Sequence, residues 1–422
     1  MSSITCIIER GAIQSIAQEA VRLGATKAFL VGDVNTFPLA GNKIADELTA
    51  CGIPHSRFVF RDKHLAPDER TMGEVFLRYD NTCDLIIGIG SGVINDICKL
   101  VAHHTHNPYI IVATAPSMDG FASPLSSMVV EGLKVSIPSK HAEVLIGDLD
   151  ILSRAPMHML KAGLGDMLAK YTSICEWRIG HLITGEYYDA EIAESVRCAV
   201  HRCVENAEGL LRREDEAIKA VMEGLVLTGE AMKKAGVSRP ASGAEHYFSH
   251  LWEMRALTFG TPSDLHGIEC AVATRLCVDL YWRLTKTEPD QAQALEYAKR
   301  FSQSDWNDSL RAFLGKSAEP MIALEKKEGK YDKKKHKKRL TVILEHWNDI
   351  VSIIQEELPS REELDALFSL LDLPMSPSEL GHDPDTVAMT VKAGGDIRDK
   401  YVLPRLLWDL GLRDSLCKDF LK

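Results

Sequence analysis

The stretch Asp84-Leu-Ile-Ile-Gly88-Ile-Gly90-Ser91-Gly92-Val93-Ile94-Asn95-Asp96 decides how the first third of the chain is read. It runs from apolar residues through glycines into helical spacing over 93–105, which is the order strand, tight turn, helix. Glycines let a backbone come close to a ligand, and the helix N-terminus that follows favours phosphate. The full dinucleotide pattern Gly-x-Gly-x-x-Gly is not met, because position 93 is Val. Taken alone, the loop is as readily an ordinary turn. Its neighbours add to it. Lys27-Ala-Phe-Leu-Val-Gly-Asp33 and Tyr109-Ile-Ile-Val-Ala-Thr114 are short and continuously apolar, as parallel strands covered on both faces are. With helical spacing at 40–52 between them, the alternation predicts a doubly wound, Rossmann-like parallel sheet. Residues 126–137 read as a hairpin turning at Glu131-Gly132, and Val144–Asp148 as a further strand. Polar groups follow three of the strands: Asp33, the glycine loop, and Thr114-Ala115-Pro116-Ser117-Met118-Asp119-Gly120-Phe-Ala-Ser123. Ligands of open parallel sheets bind where strand carboxyl ends converge, so a dinucleotide or phosphate ligand is expected here.

After Pro156 the strand signals nearly vanish, and long amphipathic stretches at 186–212, 215–235, 265–285 and 288–314 predict an all-α C-terminal domain. The expected division is a cofactor-binding α/β domain over 1–155 and a helical domain over 156–422. A length of 422 residues agrees with two or three domains at roughly 100–200 residues each. Lys plus Arg total 49 against 60 Asp plus Glu, a net charge of −11 that argues against a dedicated nucleic-acid binder. No apolar run reaches the roughly 20 residues a membrane span needs. The N-terminus lacks the basic-then-apolar order of a secretion signal, so a cytoplasmic protein is expected. Ten scattered cysteines without a Cys-x-x-Cys pair read as reduced thiols. From Lys326 to Arg339, nine Lys/Arg face two acids; a solvated loop or helix entrance is the simplest reading.

Three places in the helical half carry metal-ligand chemistry. Ala162-Gly163-Leu164-Gly165-Asp166 reads as a helix start with a carboxylate at or near the cap. His246 and His250, in Ser242-Gly-Ala-Glu245-His246-Tyr-Phe-Ser-His250, are four apart and share a helix face. A third histidine, His266, begins the next helical stretch. One Asp and two His would leave coordination open for substrate oxygens, as a catalytic site requires. Such N/O ligation suits Zn²⁺, Ni²⁺ or Fe²⁺. Cys270 shares a face with His266, where packing is its simpler role, and His103, His104 and His106 read as residues of a helix C-terminus.

In this order, the glycine loop, the Thr-Ala-Pro-Ser-x-Asp-Gly loop, the Gly-Asp segment and the two histidine segments resemble a known superfamily. It is the dehydroquinate synthase-like group that includes glycerol dehydrogenase and the iron-containing alcohol dehydrogenases. Within it, Thr114–Pro124 and the tail Gly394-Gly-Asp-Ile-Arg398-Asp-Lys-Tyr most resemble the bacterial-type, NAD(P)-dependent sn-glycerol-1-phosphate dehydrogenases. The resemblance implies NAD(H) or NADP(H) contacts at Asp33, Gly92, Val93, Ile94, Asn95, Asp96, Thr114, Ala115, Pro116, Ser117 and Ser123, with Leu125 and Val129 on the nicotinamide side. It implies one divalent metal ion on Asp166, His246 and His266, and substrate contacts at Asp119, Asp166 and His250. Asp119 would orient a hydroxyl, and His250 or a water would supply the proton. The implied reaction is hydride transfer to dihydroxyacetone phosphate, a phosphorylated triose, by a homodimer. Lys170, Arg255 and the 326–339 run are candidates for the phosphate cation. The competing readings are a glycerol or other small-polyol dehydrogenase, a carbocyclising lyase, and a non-catalytic NAD- or phosphate-binding protein.

Overall fold

A short apolar run between polar turns satisfies its backbone best by pairing with another such run. In the computed structural model, which describes residues 4–417, six strands do so: β1 (Thr5–Glu9), β2 (Ala28–Asp33), β3 (His55–Phe60), β4 (Leu85–Gly90), β5 (Tyr109–Ala113) and, after a separate hairpin of β6 (Leu125–Val130) and β7 (Leu133–Pro138), β8 (Val144–Asp148). Their order is β1-β8-β5-β4-β2-β3, and every pair is parallel. The hairpin turns at Glu131 and Gly132 with φ of 52° and 74°, the two positive values that match strand twist in a two-residue turn. Strands β1 and β3 were not anticipated. Both lie at sheet edges, and β3 exposes part of itself, so neither shows the continuous apolar run of a central strand.

Both faces of the sheet are covered, which is the doubly wound arrangement. On one, Leu30, Ile87, Val112 and Ile146 join Ile16 of α1 (Ile16–Arg22) and Ile44 of α2 (Phe37–Ala50) in one apolar core. On the other, Phe29 meets Tyr79 edge-on at 5.2 Å beyond α3 (Glu69–Phe76), and Tyr109 donates to the Asn95 side chain of α4 (Gly92–Thr105) at 3.1 Å.

No strand follows Asp148 among the described residues. The helices continue as α5 (Leu149–Leu152), α6 (Met157–Thr184), α7 (Ala190–Glu205), α8 (Ala207–Leu211), α9 (Asp215–Ala235), α10 (Ala244–Phe259), α11 (His266–Leu284), α12 (Gln291–Arg300), α13 (Gln303–Leu314), α14 (Ala318–Glu328) and α15 (Lys333–Glu345), with shorter ones to Cys417. None is long and apolar enough to cross a membrane. The chain forms two units, Met1–Met167 with Cys198–Gly236, and Leu168–Arg197 with Val237–Lys422. The first contains the sheet. The second contains α10 and α11, and all six tryptophans fall within it.

Two local readings change. Asp166 does not cap a helix, since α6 has begun nine residues earlier at Met157. Gly163 serves close approach instead: a Cβ there would stand 1.8 Å from the Pro116 carbonyl oxygen. The lysine-rich run is a helix entrance as expected, but part of it turns inward. Lys330, Tyr331 and His336 are buried, and Arg339 pairs with buried Asp409 at 2.7 Å.

Candidate active-site residues

In the first unit, the loops that follow β4 and β5 are held to each other. Thr114 N–H donates to the Gly90 carbonyl at 3.1 Å, and the Ser91 and Ser117 hydroxyls lie 2.5 Å apart. Lys99, fully buried in α4, donates to the carbonyls of Gly120 and Leu125 and pairs with Asp96 at 2.9 Å. The Asn95 amide donates to the same Gly120 carbonyl at 3.1 Å. Asn95 and Asp96 therefore brace the 114–125 loop with their side chains. Burial pushes the Asp96 carboxyl up, against the pull of Lys99. Asp33 ends β2, and its Oδ1 accepts the N–H groups of Asn35 and Thr36 at 2.7 and 2.8 Å. Gly92, Val93 and Ile94 form the first turn of α4, after Ser91. Thr114, Ala115, Pro116, Ser117 and Ser123 are buried on the second loop, Leu125 is 42% exposed at the start of the hairpin, and Val129 N–H donates to Pro67 at 2.8 Å. Asp119 N–H donates to Asp166 Oδ2 at 2.9 Å, so the substrate-loop backbone is tied to the carboxylate expected to bind metal.

In the second unit, α10 and α11 bring three imidazoles together. The ring centroids of His246 and His266 are 5.2 Å apart, those of His250 and His266 5.3 Å, and those of His246 and His250 6.3 Å. Each ring meets a carboxylate at Nδ1. His246 lies 2.9 Å from Glu245 Oε1, His250 2.9 Å from Glu253 Oε2, and His266 3.1 Å from Glu253 Oε1. A carboxylate at Nδ1 makes that nitrogen the N–H and leaves the Nε2 lone pair for a ligand. Cys270 Sγ, one turn after His266, is 3.5 Å from its Nε2.

The braces are themselves held. Buried Glu245 accepts from Thr172 of α6 at 2.5 Å and from Gly243 N–H at 2.7 Å. Burial would raise its pKa, but these bonds and the His246 ring hold it below the ordinary value. Glu176, one turn further along α6, is pushed up by burial and then by the Glu245 charge. It accepts from Ala244 and Leu403 N–H, both at 2.8 Å, and from the Tyr281 hydroxyl at 3.1 Å. The glycine-rich tail lies against α10: a Cβ on Gly394 would stand 2.6 Å from the Phe248 ring. Lys400 donates to Ser242 at 3.0 Å, and burial with Arg239 nearby draws its pKa down to about 7. Among the suggested phosphate cations, Arg255 donates to the Phe313 carbonyl and faces two phenylalanine rings, and Lys330 donates to Gly395 and Arg398 carbonyls.

Reading the sequence missed Glu245, Glu253 and Glu176. A carboxylate close in sequence to a candidate site histidine was the available signal for the first two. Glu176 had none, because its partners lie far away in sequence.

Residues 7–156 match a family described as iron-containing alcohol dehydrogenase. Over 275 residues the chain is 32% identical to glycerol-1-phosphate dehydrogenase (NAD(P)+) of Halalkalibacterium halodurans, spanning 64% of this chain and 69% of that protein. It is 33% identical to the enzyme of that name from Methanothrix thermoacetophila, spanning 65% and 77%. A longer match, 29% identical over 379 residues, covers 88% of this chain and 84% of the counterpart from Geobacillus thermodenitrificans. Among solved structures, glycerol dehydrogenase of Schizosaccharomyces pombe superposes with a TM-score of 0.64 at 17% identity, covering 100% of this chain and 91% of that one. Maleylacetate reductase of a Rhizobium strain gives 0.63 at 15%, over 99% and 96%. These two share the fold.

Proposed function

The chain belongs to the family of NAD(P)+-linked glycerol-1-phosphate dehydrogenases, and from that premise we propose that it reduces dihydroxyacetone phosphate to sn-glycerol 1-phosphate with NADH or NADPH. On this reading the dinucleotide lies along the loops after β2, β4 and β5, at the Asp33, Gly92–Asp96, Thr114–Ser117, Ser123, Leu125 and Val129 positions. Asp166, His246 and His266 hold one divalent ion, Zn²⁺, Ni²⁺ or Fe²⁺. The observation that supports this most is the convergence of His246 and His266 with both Nδ1 atoms against carboxylates, which leaves two Nε2 donors for an ion. Asp166 enters as the third ligand from the sequence resemblance, and its carboxylate already holds the Asp119 N–H of the substrate loop at 2.9 Å.

When bound, the nicotinamide supplies hydride and the ion draws charge from the substrate carbonyl. The residues do the rest. Asp119, fixed through its N–H to Asp166, orients a substrate hydroxyl. His250, with its Nδ1–H held by Glu253, takes a proton from solvent at Nε2 and, as the imidazolium, passes it to the substrate oxygen as the carbonyl becomes a hydroxyl. A cytoplasmic homodimer belongs to the same reading.

Steady-state rates with dihydroxyacetone phosphate and with free dihydroxyacetone test the substrate. A kcat/KM that favours the phosphorylated ketone is expected; a marked preference for the free ketone would make this a polyol dehydrogenase instead. Net oxidation of NAD(P)H with substrate separates it from a carbocyclising lyase, which returns its cofactor.

A further inference from the structure

We propose that Cys270 is a thiolate ligand of the metal in the substrate-free enzyme, beside His246 and His266. The inference rests on the metal reading above and concerns a residue that reading leaves out. Helix geometry alone sets Cys270 next to His266, because the two are four apart on α11. It does not set Cys270 next to His246, which comes from α10. Yet one ligand atom from each of His246, His266 and Cys270 lies within 4.8 Å of the others. The thiol is fully buried, so it is directed into this cluster and not to solvent.

The distance is informative. With bonds of about 2.3 Å to sulfur and about 2.1 Å to nitrogen, two ligands of a tetrahedral zinc stand about 3.6 Å apart. Cys270 Sγ stands 3.5 Å from His266 Nε2, the nitrogen that Glu253 leaves free of its proton. As sulfur binds the ion, the thiol proton passes to solvent. A thiolate turns an all-N/O donor set into a softer one and moves its preference toward zinc-like ions. It also occupies a position that substrate oxygen must take, so the sulfur is a displaceable ligand.

Cobalt substitution of the full-length protein tests this, because Co²⁺ reports thiolate coordination by an intense near-ultraviolet charge-transfer band. The expected result is that band at one equivalent of Co²⁺, lost in Cys270→Ser and Cys270→Ala and kept in the exposed-thiol control Cys198→Ser. Tryptophan fluorescence during urea unfolding confirms that both Cys270 variants are folded. Visible cobalt bands without the charge-transfer band, or a band that survives both Cys270 substitutions, would overturn the thiolate and leave the Asp/His metal reading standing. Failure of the wild-type chain to bind Co²⁺ would overturn both.

Discussion

The Ser91 and Thr114–Ser117 segments of the first unit and the histidine cluster of the second are held by different physics. Ser91, Thr114 and Ser117 are clamped by neutral hydrogen bonds and by the backbone contact at Gly163. The imidazoles of His246, His250 and His266 are held by two ionisable carboxylates, one of which, Glu245, is itself held by further buried groups. A neutral clamp fixes shape and has no charge to lose. An ionic brace fixes tautomer as well as position, and it responds to pH and to any change of charge.

Removing the carboxylate proposed as a ligand should separate the two regions most sharply. Asp166→Ala is expected to lower kcat roughly 10³-fold or more, about 4 kcal/mol, and to abolish stoichiometric metal binding while NAD(P)H still binds. Cofactor fluorescence titration and metal analysis check this, and unchanged turnover would sink metal catalysis. In the first unit, Gly163→Ala is the strongest break. Its Cβ would fall 1.8 Å from Pro116 O, a backbone atom. The expected cost is about 3 kcal/mol in urea unfolding, with a raised KM for NAD(P)H.

A pH series addresses the second unit through its six tryptophans. His382 stacks on Trp252 of α10 at 4.6 Å, and burial, with Arg255 nearby, draws its pKa down to about 4 from 6.5. Asp383 opposes that shift. A histidine depressed in the fold contributes stability that is present above pH 6.5 and lost as pH falls through 4. The unfolding free energy from urea titrations followed by tryptophan emission should therefore fall between pH 7 and 4 by an amount on the order of 2–3 kcal/mol. His382→Phe should flatten the slope.

Glu245→Gln probes the brace without emptying the ligand set. Metal affinity should fall about 10–100-fold, measured by competition with a chelator, with the fold intact. No change would mean that Glu245 only fills space. The smallest effect is expected from Ser91→Ala, which removes one hydroxyl from a neutral clamp. KM for NAD(P)H should rise a few-fold, under about 1.5 kcal/mol, with metal content unchanged.

The same division governs how much was legible beforehand. The central strands β2, β4, β5 and β8 announce themselves because both faces are covered, so nearly every residue is apolar. Edge strands β1 and β3 do not. His246 and His250 announce a shared face by spacing, and His266 a helix start. Gly163 is different: glycine before aspartate suggests a cap, whereas the structure shows glycine in mid-helix, making room for Pro116. The lysine-rich run, likewise, cannot reveal by composition that Lys330 and His336 face inward.

Sequence by itself therefore determined the layered class and the order of the loops, and it supplied the side chains proposed to bind a dinucleotide and a metal. Those follow from local periodicity and residue chemistry, which short stretches of chain contain. Tertiary structure alone decided that Glu245 and Glu253 stand at the histidine Nδ1 atoms, that Glu176 joins α6 to a tail 227 residues away, and that Cys270 lies beside two imidazoles. These are contacts between residues distant along the chain or on different helices. Their energies depend on burial and distance, and neither exists until the helices have packed.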